Sequence, residues 1–364
     1  MKSRIASLAL LATSVGASLG LTATADAKDT TARPMFAVYP MALQPANPNE
    51  TPSKALTVWS GSFTDQTSRK ITFKMVGTDP TSTDTTTTVQ VVVIPVSFQY
   101  SATYGNKLFD PTVDTIGAKS VINFMKSSPI FKAADFKSGT VDVGTTQYID
   151  AFQRGNFWST VQGEPDYHVL LKIKTVMPTL VITVPDNLGS VITNPWGTIP
   201  TGQYDFNHMN SAILAYLNSH TKQIKPNMFP LFISDDVYLT SGGCCIGGYH
   251  SARSGTQTFG YTTMVTESGD FSEDISALSH EVGEWLDDPF TNNHVNCNDN
   301  SILEVGDPLE TLSQFGTFPF KVGKTTYHPQ DLVFIGYFGY PTPYPSVNGW
   351  LSFDNKEHGI CPGQ

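Results

Sequence analysis

Charge is scarce in this chain: Lys, Arg, Asp and Glu make up 15% of its 364 residues, and acids outnumber bases 32 to 22. No basic run is present to meet phosphates or anionic headgroups, so nucleic acid and anionic membrane are disfavoured as partners. Past Leu21 no apolar run approaches the ~20 residues that a spanning helix needs, and no membrane span is expected. A Gly-x-Ser-x-Gly elbow is missing, which weakens a serine hydrolase reading. Gly323-Lys324-Thr325 ends like a phosphate-binding loop, but Phe318 stands where the first glycine is needed, leaving a turn. Cysteine is limited to Cys244, Cys245, Cys297 and Cys361, and no Cys-x-x-Cys spacing occurs, which disfavours a four-thiolate zinc site.

The chain does carry an export signal. Lys2 and Arg4 precede the apolar stretch 5–21, and Ala25-Asp26-Ala27 fits a small-x-small cleavage pattern. Residues 1–27 therefore read as a signal peptide and the mature product as secreted or periplasmic. Its removal carries the formal charge from −10 to −11, since Lys2, Arg4 and Asp26 leave together. Disulfides persist outside the cytoplasm. A bond between adjacent Cys244 and Cys245 would be strained, so one is expected to reach Cys297 and the other Cys361, in an order left open.

Residues 28–88 read as an extended arm ending in a Thr-rich run, and 89–364 as one catalytic domain. Val89 to Val96 is a β-branched run that predicts a buried strand. Helices are expected over 118–124, 146–157 and 205–218, and strands over 167–175 and 179–184. Met228 to Leu239 reads as a strand interrupted at Ser234-Asp235-Asp236, followed by a Gly-rich stretch ending in Tyr249-His250. The aromatic, Pro-containing stretch 334–350 reads as loop packing.

The most informative segment is Ser279-His280-Glu281-Val282-Gly283-Glu284-Trp285-Leu286-Asp287-Asp288-Pro289, followed by Glu304-Val305-Gly306-Asp307. Asp270 and Glu273 resemble a capping box, and Pro289 ends the helix near Asp288. Ile275, Leu278, Val282, Trp285 and Leu286 form one apolar stripe, with His280 and Glu284 together on the opposite side, ~40° apart. Taken alone, such a pair is ordinary on a solvated face.

The segment resembles the zincin metallopeptidases, whose helix carries His-Glu-x-x-His with a glutamate beside the first ligand as general base. Glu284 here replaces the second histidine. Glu304 follows it by twenty residues, the offset at which thermolysin-like members place a third, glutamate ligand. The resemblance implies an α+β fold with a mixed sheet, an edge strand beside the active-site helix and a smaller C-terminal subdomain. Residues 228–250 would supply the strand that pairs with an extended substrate. The ligands implied are His280, Glu284 and Glu304, with Asp307 orienting His280 from behind and Glu281 as base. The ion implied is zinc, although the extra carboxylate also admits Mn²⁺ or another hard divalent ion. Asp288 is a lower-ranked third ligand. For the oxyanion donor the Tyr327-His328 pair is favoured over Tyr249, His250 and His294.

A longer likeness joins the same helix and Glu-x-Gly-Asp segment to exported bacterial and fungal proteins of undefined function, and more distantly to plant exordium-like proteins. The expected activity is hydrolysis of a peptide or protein substrate by metal-activated water. The alternative is a non-catalytic extracellular or wall-associated binding protein that keeps the ion structurally.

Overall fold

A computed structural model describes residues 35–36, 55–193, 199–253, 256–267, 272–298, 301–310, 312 and 316–364. The expected signal peptide, most of the arm and Asp270 of the expected capping box lie outside them. Strand β1 (Met35–Phe36) pairs in parallel with residues 246–248. Where composition predicts an extended arm, β2 (Val58–Thr64) and β3 (Lys70–Val76) form an antiparallel hairpin. The cause is alternation in β3, where Ile71, Phe73 and Met75 point into the core while Lys70, Thr72 and Lys74 stay exposed. Asp65 closes the turn, accepting from the backbone N–H of Thr67 at 2.9 Å and Arg69 at 2.8 Å.

Strand β4 (Thr86–Gln99) contains the expected run and extends it at both ends. Its continuous apolar sequence is buried on both faces: Val89, Val91 and Val93 meet one core, and Val92, Ile94, Val96 and Phe98 the other. Short strands β5 (Leu108–Phe109), β6 (Thr115–Ile116) and β7 (Lys119–Ser120) lead to helix α1 (Val121–Lys126), and the hairpin β8 (Ala134–Ser138) and β9 (Val141–Thr146) leads to α2 (Tyr148–Asn156) and α3 (Trp158–Val161). Strands β10 (His168–Val176), β11 (Leu180–Thr183), β12 (Gly189–Thr193) and β13 (Pro200–Asp205) follow. Asp205 then caps α4 (Phe206–Ser219) by accepting from His208 N–H at 2.9 Å.

The predicted interruption separates β14 (Met228–Asp235) from β15 (Val237–Thr240) at Asp236, whose φ of 46° breaks the pleat. Strands β16 (Ile246–Arg253) and β17 (Gln257–Met264) pair antiparallel, and helix α5 (Ser276–Asp287) packs on them. The fold is mixed α and β, with a mixed sheet ordered β10-β4-β14-β17-β16-β15-β13-β12. Helices α2 and α5 cover one face, and α4 the other. Of the strands beneath α5, β17 pairs with both β14 and β16, whereas β16 pairs with β17 over 248–253 and meets β15 and β1 only at 246–248.

The C-terminal stretch does not form the expected smaller subdomain. Apart from the hairpin β18 (Phe320–Val322) and β19 (Thr325–Tyr327) it is largely irregular, yet Leu303, Val305, Leu332, Phe334 and Phe353 enter the same core as α2 and α5. The cysteine expectation also fails. Cys297 bonds Cys361, with Cα atoms 5.6 Å apart, because the chain end returns to the loop after α5, where Asn298 N–H donates to Pro362 C=O at 2.8 Å. Cys244 and Cys245 bond each other across a cis peptide, in the turn whose ends the β15–β16 pairing holds together.

Trp285 anchors α5 to the sheet. Its ring stacks on Phe229 with centroids 4.0 Å apart, and Nε1–H donates to Thr258 Oγ1 at 3.0 Å. Trp285→Ala is expected to cost about 3 to 5 kcal/mol in denaturant unfolding, and a loss below ~1 kcal/mol would show that α5 is held elsewhere.

Candidate metal centre

Helix α5 is buried on every face. The apolar stripe Ile275, Leu278, Val282, Trp285 and Leu286 lies in the main core as its spacing predicts. The opposite, polar side is not solvated either, because β16 and the 304–307 loop close over it. Among the described residues no side chain caps the first turn; Ser276 Oγ donates to Glu273 C=O at 2.9 Å instead. At the other end Asp288 Oδ1 accepts from the N–H groups of Asn292 at 3.0 Å and Asn293 at 3.2 Å, so this carboxylate closes the following turn rather than standing as a third ligand.

On β16 the two-residue period sends Tyr249 to the α4 side, where its hydroxyl donates to Asn210 Oδ1 at 3.3 Å, and turns Gly248 and His250 toward α5. Glycine is required at 248, since a Cβ there would stand 2.6 Å from Glu281 Cγ. His250 Nε2–H donates to the Asp288 C=O at 3.0 Å. Its Nδ1 thereby faces Glu281 Oε2 at 3.4 Å, Glu284 Oε2 at 3.8 Å and Glu304 Oε2 at 3.9 Å.

His280 is oriented in the same manner. Its Nδ1–H donates to Gln330 Oε1 at 2.8 Å, and Gln330 is fixed in turn by donating its amide to Gly306 C=O at 2.8 Å and its backbone N–H to Ser279 Oγ at 2.8 Å. The Nε2 atom then points to Glu284 Oε1 at 2.9 Å and Asp307 Oδ1 at 3.5 Å. Gly306 packs flat on the imidazole, leaving no room for a side chain. The residue behind His280 is therefore Gln330, and Asp307 stands in front of it. Glu304 lies against His250 and Glu284.

Of the five residues weighed as oxyanion donors, His250 is the one the fold brings to these acids. Tyr327 packs on Phe124 at 4.7 Å between centroids, His328 Nδ1 bonds Asp274 Oδ2 at 3.1 Å, and His294 sits exposed in a bridge to Ile302. Sequence reading had one usable signal for His250, the two-residue alternation from Gly248. Gln330 offered none, being a loop residue fifty positions beyond His280.

Two groups of ligand atoms result, each mutually within 4.8 Å: His280, Glu284 and Asp307, and His250, Glu281 and Glu284. Five of the six side chains, Glu304 included, are at most 3% exposed, and Asp307 is 28% exposed. Among the described residues no Lys or Arg pairs with Glu281, Glu284 or Glu304. Neither Glu304 oxygen accepts a hydrogen bond there, nor does Glu281 Oε1. Such a donor set, oxygen-rich with two imidazoles of fixed tautomer, can hold a metal ion.

Without an ion, protons must compensate the charge. Burial, then the Glu284 charge, pushes Glu304 well above the usual carboxylate range; burial pushes Glu281 up to about 7 and Asp288 to about 6. Burial also acts on Glu284, but the adjoining His280 outweighs it and holds this carboxyl low. Burial alone would depress His280; Glu284, Asp307 and Glu281 instead raise it well above its ordinary value.

Compared with protein-family models, curated proteins and solved structures, the chain has no match. Among the described residues no helix is long and apolar enough to cross a membrane.

Raised folded-state pKa values mean that the folded protein binds protons the unfolded chain has already released, from about pH 4 up to 7. This contribution to stability is lost as pH rises through that window, unless a cation replaces the protons. Thermal unfolding with a chelator and with added divalent ion should therefore diverge as pH rises from 4 to 8, and curves that stay parallel would show that no ion binds these acids. Gln330→Leu should lower metal affinity about 10- to 100-fold by calorimetric titration, with the fold intact by circular dichroism.

Proposed function

We propose that His280, Glu284 and Asp307, beside Glu304, hold a divalent ion, zinc or Mn²⁺, and that the protein is an exported metal-dependent peptidase. The observation that carries this reading is His280, with Nδ1–H held by Gln330 and Nε2 aimed at two carboxylates. A bound divalent ion supplies Lewis acidity, lowering the pKa of water toward neutrality. Glu281, adjacent to His280 and pushed up to about 7 by burial, takes a proton near neutral pH and returns it to the leaving amine. Asp307, the most exposed of the six side chains, marks the side from which a substrate would approach.

One observation favours a second reading. A peptide needs access to the reacting atoms, and the remaining five side chains are closed off from solvent. An ion sealed in this way is structural, and the protein is then a non-catalytic extracellular binding protein.

Glu281→Gln separates the two. If the peptidase reading holds, cleavage of a peptide library falls about 10²- to 10⁴-fold while at least one ion per chain is retained by mass spectrometry. Bound metal with no cleavage by the unaltered protein assigns the structural role, and absence of metal in both proteins overturns both readings.

A further inference from the structure

We infer that the centre takes two divalent cations, with Glu284 bridging them. The inference rests on the first ion proposed above and adds a second position formed by His250 Nδ1, Glu281, Glu284 Oε2 and Glu304. Three independent features support it.

The first is tautomer. Each of two buried imidazoles has one N–H committed to a neutral oxygen, His280 to the Gln330 amide and His250 to the Asp288 carbonyl, so each presents its other nitrogen to carboxylates. One ion would use one such nitrogen; two prepared nitrogens fit two ions. The second feature is how Glu284 is placed. Its Oε1 stands 2.9 Å from His280 Nε2 and its Oε2 3.8 Å from His250 Nδ1, so the carboxylate belongs to both ligand groups through different oxygens. Backbone N–H of Gly306 at 3.1 Å and of Asp307 at 3.3 Å hold Oε1 in place.

The third is Glu304. This side chain is wholly buried beside His250, and neither of its oxygens accepts a hydrogen bond among the described residues. A carboxylate in that position needs either a proton shared with Glu284 or a cation, and an ion at the second position would meet it. Charge agrees: with neutral imidazoles, Glu281, Glu284, Glu304 and Asp307 carry four negative charges, which two divalent ions cancel and one only halves. Glu281 is a ligand when the second position fills, so the base role proposed for it belongs to the singly loaded centre.

The test uses the full chain, stripped with chelator, dialysed and titrated with Mn²⁺. Calorimetry and elemental analysis after gel filtration should give two ions per chain, and electron paramagnetic resonance should show the broadened signal of a spin-coupled pair. His250→Ala should reduce the count to one and restore an isolated Mn²⁺ spectrum. Glu304→Gln, a near-isosteric change that spares the fold, should weaken the second binding event by about 10-fold or more and leave the first within about 2-fold. One ion per chain in the unaltered protein overturns the second position while sparing the first. Two ions with uncoupled spectra overturn the bridge, and no binding overturns the first site as well.

Discussion

Carboxylates removed from water govern this molecule. An ionised acid in a protein interior is tolerated only where a donor, a proton or a cation meets it, and the region between α5, β16 and the 304–307 loop gathers Glu281, Glu284 and Glu304 with Asp307 at its margin. Among the described residues the cationic groups facing them are imidazoles, whose charge depends on the same acids. The surrounding apolar packing, with Trp285 on Phe229 and the C-terminal stretch over α5, is what keeps water out. Stability and any affinity for an ion are therefore linked through burial.

Much of the helical part of this centre was legible beforehand, because helix geometry is local. A separation of four residues places His280 and Glu284 on one side whatever lies around them, and Pro289 limits the helix at Asp288. The run Val89 to Val96 was equally clear, since β-branched residues in a short apolar stretch have few alternatives, and the break at Asp236 followed from the polar interruption of an apolar strand.

What escaped the sequence was set by long-range contacts. His250 and Gln330 reach the centre only because β16 passes beneath α5 and the stretch after β19 closes over it, and no short-range pattern encodes either event. The β2–β3 hairpin was missed because its Ser- and Thr-rich surroundings mask the alternation of Ile71, Phe73 and Met75. The cysteine pairing turned on where the chain end lies, which spacing cannot convey. Asp307, three residues past Glu304, faces His280 Nε2 at 3.5 Å rather than the Nδ1 that Gln330 holds.

Gln330 has a consequence for how the molecule comes into being. It couples His280 to Gly306 and Ser279 from a position beyond all eight strands of the sheet path. A ribosome delivers those strands and α5 first, and the acids then stand assembled without the amide that aims His280. Until Gln330 has emerged, fifty residues after His280, no amide fixes that imidazole, so its orientation is among the last features of the centre to form.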